Sequence, residues 1–320
     1  MPKSPADPGP QMHFFDSNFL YAYTADEKEQ IRNEIGLKDN NIKEDVSSIL
    51  EWFNKQPHLA AAPINHDMVE RMILIAKGSR EKAKSRIDNF YRYRAYAQDV
   101  LESRLKFFSD PTENGWKFYH QSAMLNLFEG KRISVVKITD PNPDNFFCDV
   151  LFRNTIMLGD LRLKYDYMLG DIWIIDLENV SFGHITRLNP SVIKKSSNIF
   201  QEGMGVRVFA LHLINAPTFV NNLLNFMKQF VKAKIMDRVV IHDNLKSLYE
   251  HIPKSHLPKD FGGDQPSLDE FKEMYLKELQ RDQTRDYLTE CCQQISDESR
   301  RPTTQYPDDL VGSFKKLDFD

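Results

Sequence analysis

The chain has 320 residues, 41% of them hydrophobic and 28% charged, enough apolar content for one large core or two modest ones and enough charge to keep a surface wet. Lys plus Arg number 42 and Asp plus Glu 46, a net charge of -4, which excludes the broad cationic footprint of a general nucleic-acid binder but leaves room for a local basic patch. No signal-type apolar stretch follows Met1, no apolar run reaches the roughly 18 residues of a membrane span, and the cysteines (Cys148, Cys291 and Cys292) are odd in number with two adjacent; these features predict a reducing, cytoplasmic protein without a disulfide framework.

Residues 1–12 are proline-rich and without periodicity, and read as a disordered tail. Helices are predicted over Asp26 to Glu34, Lys43 to Asn54, Asp67 to Ala76 and Ser79 to Ala97. Val46, Ile49, Leu50 and Phe53 recur at helical spacing, and Ser79 suits an N-cap, with Lys82, Arg86 and Arg92 keeping one face wet. Residues 13–100 are therefore expected to form an all-helical module. The pattern changes after Gly130. Arg132 to Ile138 reads as a strand, Asp149 to Tyr165 as a helix, and Ile172 to Leu177 as a strand buried on both faces. A helix with proline at its start follows over Pro190 to Gln201. Then come an alternating strand (Val206 to Ile214), a helix (Phe219 to Val231), a short strand (Arg238 to Ile241) and a helix (Leu245 to His251). This alternation predicts an α/β domain with a mixed sheet over residues 101–265. Leu268 to Gln293 is expected as one charged helix, and a polar tail completes residues 266–320.

Several motifs invite a functional reading. Gly203-Met-Gly205 lacks the third glycine of a dinucleotide loop, where Val208 stands, and precedes a strand rather than a helix. His242, His251 and His256 lie close in sequence but show no metal-ligand spacing, so surface or loop roles are expected. Asp176 and Glu178 end the most apolar strand. Two carboxylates in a cleft could exchange protons, and the favoured alternative is that Asp176 caps or pairs to hold the strand end. No Ser, Cys or Lys has a nucleophile context, so no enzyme activity and no cofactor are expected. Phe90-Tyr-Arg-Tyr-Arg94 interleaves rings and charges as RNA binders do, yet its spacing fits an ordinary amphipathic helix. In the helix from Phe219 to Val231, Phe219, Leu223, Phe226, Met227 and Phe230 make one wide apolar face. Asn221, Asn222, Asn225, Lys228 and Lys232 make the other. Periodicity alone makes that face core; its Met and Phe content also suits a flexible wall around an apolar ligand.

His212-Leu-Ile-Asn-Ala-Pro217 resembles the strand-to-helix signature of the CRAL-TRIO family. Leu257-Pro-Lys-Asp-Phe-Gly-Gly263, Ile175-Asp-Leu-Glu178 and Leu188-Asn-Pro-Ser-Val-Ile-Lys-Lys195 resemble further motifs of that family, and Asp67 to Arg94 is similar to its N-terminal module. Gly312-Ser-Phe-Lys-Lys-Leu317 resembles the tail of insect members. The branch resembled is that of the alpha-tocopherol transfer and retinal-binding proteins. The resemblance implies a lipid-binding fold: a sheet floor, helices walling an apolar cavity, and the Phe219 to Val231 helix as a mobile gate. It implies a non-enzymatic carrier of one retinoid, carotenoid, tocopherol or similar lipid. The cavity would be lined by Trp173, Ile175, Phe200, Met204 and Leu211 and closed by Phe219, Leu223, Phe226 and Met227. The protein would visit membranes as a peripheral partner. The alternative function is a phosphoinositide-recognising adaptor, because Arg207, Lys234 and Arg238 match the basic positions of relatives that bind such head groups. Phe209 stands where the branch carries a second Arg, and Met72 to Ala76 replaces Phe-Leu-Arg-Ala-Arg, with Lys77 nearby. Gly205 occupies a position where proline is usual, which is expected to loosen that turn.

Overall fold

The computed structural model describes residues 19–102, 116–205 and 207–302. The expected 1–12 tail, Val206 and the Gly312 to Leu317 motif lie outside the described residues.

Side chains set where the first helices begin. Thr24 and Glu27 form a reciprocal capping box ahead of α1 (Ala25–Glu34). After α2 (Asp39–Asn54), Asn65 accepts from the Met68 amide at 2.8 Å to start α3 (His66–Ile75), and Ser79 accepts from the Lys82 amide to start α4 (Arg80–Ala95). Each bond satisfies an amide that the first turn leaves unpaired. The apolar stripes of these helices, including Val46, Ile49, Phe53, Met72, Ile73, Ile87 and Phe90, merge into one buried core. A short α5 (Gln98–Glu102) follows.

The second part is a five-stranded mixed sheet in the order β1 (Tyr119–Ala123), β2 (Lys131–Ile138), β3 (Gly170–Asp176), β4 (Val208–Ile214) and β5 (Val239–Ile241). β1 runs antiparallel to β2, and the remaining pairs are parallel. Parallel neighbours need crossovers. These are α6 (Cys148–Tyr165) between β2 and β3; α7 (Phe182–Thr186), α8 (Pro190–Asn198) and a π-helical turn (Ile199–Gly203) between β3 and β4; and α9 (Val220–Met227) with α10 (Ala233–Met236) between β4 and β5. α11 (Leu245–Tyr249), α12 (Leu268–Leu279) and α13 (Asp282–Cys291) complete the described chain. Their Leu248, Phe271 and Leu279 share a core with Ile133, Val135, Ile172 and Ile174 from one sheet face.

The structure departs from the sequence reading in four places. β1 is an additional strand: Tyr-His-Gln-Ser-Ala has no apolar alternation, although all five residues are buried. The expected final helix is two helices, because Thr284 Oγ1 donates to the buried Glu278 carboxylate at 2.6 Å and Arg281 pairs with the same group at 3.1 Å, turning the chain between them. α9 stops at Met227, and the Phe230 and Val231 amides both turn back to the Met227 carbonyl. Finally, β3 is not buried on both faces. Ile172 and Ile174 are buried, whereas Trp173 and Ile175 on the other face are only half-buried.

Candidate functional site

The half-open face of β3 extends across the sheet. Val136 pairs with Ile175, and Trp173 pairs with Leu211, which pairs with Val239. Paired residues in a parallel ladder point to one side, so these apolar side chains form a continuous floor. All five are half-buried. Across from the floor runs α9. Its Leu223 and Leu224 gather with Ile175, Leu211 and Val239 around Leu177, Leu213 and Val220. Phe226, Met227 and Phe230 instead reach a second cluster around Phe118, Tyr119, Ile138, Phe146 and Ile193. The opposite face of the helix, with Asn221, Asn222, Asn225 and Lys228, is exposed. Two apolar surfaces thus pack against one another while both keep part of their area accessible.

Polar ties hold both ends of α9. At its entry Asn215 adopts a positive φ of 52° and donates from Nδ2 to Asp176 at 2.8 Å. Asp176 also accepts from the Glu178 amide at 3.0 Å and pairs with Lys137 at 3.0 Å. With its partners taken up this way, Asp176 is a cap and a tie for the strand end. The Phe219 ring meets Phe182 edge-on, with centroids 6.2 Å apart. At the exit, Ser197 donates to the Phe230 carbonyl at 2.5 Å and Gln201 Nε2 to the same oxygen at 2.9 Å, while Gln201 Oε1 accepts from the Lys232 amide at 2.8 Å. Gln201 belongs to the π-helical turn, a feature frequent at functional sites. That turn lies so close to α4 that a Cβ on Gly203 would come within 2.9 Å of Phe90 Cα, so this glycine serves packing and not a phosphate loop.

The residues predicted to line the ligand space divide accordingly. Trp173, Ile175, Leu211 and Leu223 come together at the floor and its cover, Phe226 and Met227 continue toward the Phe118 end, and Phe219 sits against Phe182. Phe200 and Met204 pack instead with the core of the helical unit, where Met204 is 2% exposed and its sulfur lies 2.9 Å from where a Gly159 Cβ would be.

On the other side of the π-helical turn is a cavity of about 520 Å³ with seven cationic side chains in its lining. Lys77, Lys82 and Arg86 come from the end of α3 and from α4. Arg207, Lys232, Lys234 and Arg238 come from the segments entering β4 and β5. Glu202, paired with Lys232, is the carboxylate among the described lining residues. Phe209, in the place of an expected arginine, has the Arg207 guanidinium 5.0 Å and the Lys131 ammonium 5.2 Å from its ring centroid, within cation–π range. Burial lowers the pKa of Arg86, opposed by Glu202. It also lowers that of Arg207, opposed by Glu34 and assisted by Arg238. Gly205 makes this crowding feasible: its φ is +66°, and a Cβ there would fall 1.9 Å from Arg86 Nη1. Glycine at this position thus admits a guanidinium to the cavity. Lys82, Arg86 and Lys232 were missed in the sequence because helical periodicity placed them on outward faces. The available signal was the loss of the two family arginines at Leu74 and Ala76, followed within three turns by new cations.

Phe90, Tyr91 and Tyr93 are buried, which leaves no ring surface for stacking RNA bases. Among the described residues no group of three or more His, Cys, Asp or Glu is arranged to hold a metal, and no helix is long and apolar enough to cross a membrane.

A mixed sheet that carries an apolar floor under one crossover helix, with a cationic cavity beside it, narrows the class. Residues 128–263 match the CRAL/TRIO domain. Clavesin-1 of Xenopus laevis is 24% identical over 252 residues, 75% of this chain and 74% of that protein. The alpha-tocopherol transfer protein-like protein of Mus musculus is 22% identical over 285 residues, covering 84% of this chain and 76% of its own length. The crystal structure of Sfh5 aligns with 78% of this chain and 92% of that chain at 13% identity and a TM-score of 0.38, a likeness too distant to bear on the site.

Proposed function

We propose that this protein is a non-enzymatic carrier that holds one small hydrophobic molecule between the sheet floor and α9, with α9 as the gate. The observation that carries this reading is the pair of facing apolar surfaces, Val136, Trp173, Ile175, Leu211 and Val239 against Leu223, Leu224, Phe226 and Met227, all left half-buried. Each methylene removed from water contributes about 0.8 kcal/mol, so an isoprenoid or acyl chain can be held tightly with few polar contacts. One relative is named for its likeness to an alpha-tocopherol transfer protein, in keeping with a retinoid, carotenoid, tocopherol or similar cargo. A test is uptake by delipidated protein of retinol, tocopherol and cis-parinaric acid. The reading expects one equivalent of at least one probe, lost in Trp173→Ala combined with Leu223→Arg. No uptake of any probe contradicts it.

The cationic cavity favours a second, compatible reading: recognition of a phosphoinositide head group at a membrane surface by Arg207, Lys234 and Arg238, joined by Lys77, Lys82, Arg86 and Lys232. Arg207→Glu, Lys234→Glu and Arg238→Glu together should abolish binding to vesicles containing phosphatidylinositol bisphosphate and leave uptake of the apolar probe intact. Unchanged vesicle binding would exclude the cavity as the membrane contact.

A further inference from the structure

Beneath β4, on the face away from the apolar floor, three imidazoles pack against one another. The ring centroids of His212 and His242 are 5.0 Å apart, those of His212 and His251 5.2 Å, and those of His242 and His251 5.4 Å. Their hydrogen bonds run in one direction. Ser247 Oγ donates to the Asn244 carbonyl at 2.9 Å, so it accepts from His242 Nδ1 at 2.9 Å. His242 Nε2 is then the acceptor for His212 Nδ1 at 2.8 Å. This chain leaves His242 Nε2 without a proton and places one on His212 Nδ1. With both rings protonated, N–H would face N–H across the His212 contact and break it.

The position of the trio gives that contact a consequence. His212 lies within β4, between Leu211 and Leu213, paired with Ile174 on β3 and Val240 on β5. The His242 amide donates to the Leu213 carbonyl at 2.9 Å, fastening the end of β5 to β4. β5 is a three-residue edge strand, and the whole span 215–238, including α9, is a loop whose ends are these two strands. A seam that ties β4 to β5 therefore also ties the two ends of the segment that covers the apolar floor.

We propose that His212 and His242, with the His251 ring packed against both, form an acid-labile seam: with His212 and His242 neutral they staple β4 to β5, and proton uptake parts the strands and frees the 215–238 span. The surrounding charges are few. Asp243 and Glu250 favour a proton on His242, His251 opposes it, and β3 presents the apolar Ile174 to His212. Burial, with His242 and His251 adding to it, holds the His212 pKa down to about 4, and burial likewise lowers that of His242. The sign follows from linkage. A histidine that is neutral when the seam is closed and ordinary when it is open takes up its proton only on opening. Closure is thus fully favoured above the ordinary value of about 6.5 and weakens as pH falls from there toward about 4. Each such histidine raises the opening equilibrium by up to tenfold per pH unit.

Hydrogen exchange of the full chain between pH 7.5 and 5, corrected for intrinsic rates, tests the seam. Amides of 208–214 and 239–242 should lose protection by about tenfold or more from pH 7 to 5.5, with the 215–238 span following and Lys131–Ile138 unchanged. In the double variant His212→Gln with His242→Gln the pH response should vanish. Should that variant fail to fold, NMR titration of the native imidazoles decides: two rings titrating well below 6.5 support the seam, and three ordinary titrations overturn it. pH-independent protection at β4 and β5 overturns it as well. So does one equivalent of zinc bound at pH 7.5 and lost with these histidines, because the ring nitrogens would then serve a metal. The readout requires no bound lipid, so it stands or fails separately from the carrier reading.

Discussion

The two sides of the sheet domain are built on opposite principles. Where the helical unit meets it, the contact is tight and charged. Arg94, 0% exposed, reaches Asp160 at 2.8 Å and the Gln294 carbonyl at 3.2 Å. Arg71 donates across to the Asp166 carbonyl at 2.9 Å, and within the sheet domain Asp166 is itself held by Arg132 at 2.8 Å. Under α9 the contact is apolar, incompletely buried, and tied mainly at its ends. Buried charges demand fixed geometry, because any displacement leaves an uncompensated ion. Apolar contacts tolerate sliding and refilling. The first side is held by charges, and the proposed gate lies on the second.

Breaking the charged side should therefore cost most. Arg94→Ala removes the guanidinium paired with Asp160, itself 1% exposed on its side chain, and is expected to lose about 3–5 kcal/mol of stability, read from urea unfolding. Along β3 the contrast can be measured between near neighbours. Ile174→Ala, at a fully buried site, should cost about 2–5 kcal/mol, whereas Ile175→Ala should cost less, about 1–2 kcal/mol, since its side chain is already partly accessible. Equal losses would mean that the floor is ordinary core. Gln201→Ala removes two bonds at the exit of α9 and should leave global stability within about 1–2 kcal/mol. Its effect should appear as release of a bound apolar probe about fivefold faster in stopped flow. The smallest expected effect concerns Cys148, in the apolar cluster that Phe226 joins. Burial raises its thiol pKa to about 11, so at pH 8 it should resist alkylation in the folded protein and react once unfolded.

Much of the fold was readable because periodicity survives in single sequences. The amphipathic helices of the first hundred residues and the apolar run Ile172 to Ile175 announce themselves, and the motif series pointed to the CRAL/TRIO match over residues 128–263. β1 was invisible because its burial comes from β2 and α12 packing on polar residues, not from its own pattern. The site was legible in part. Leu223, Phe226 and Met227 follow from helical spacing, but which face of β3 stays half-open depends on what covers it. The cationic cavity was under-read for the same reason. Arg86 looks like a solvent residue on α4 until Gly205, distant in sequence, makes room for it. Arg94 belonged to the same amphipathic pattern, and its full burial depends on Asp160 and on carbonyls contributed by the C-terminal segment.

The most direct test of the carrier reading is mass spectrometry of an organic extract from protein purified without detergent, paired with native mass spectrometry of the intact complex. The account predicts one stoichiometric apolar molecule, bound in the native protein and displaced in Trp173→Ala with Leu223→Arg. Protein that emerges empty, or holds only a phosphoinositide that survives those two substitutions, contradicts it and leaves the cationic cavity as the principal site.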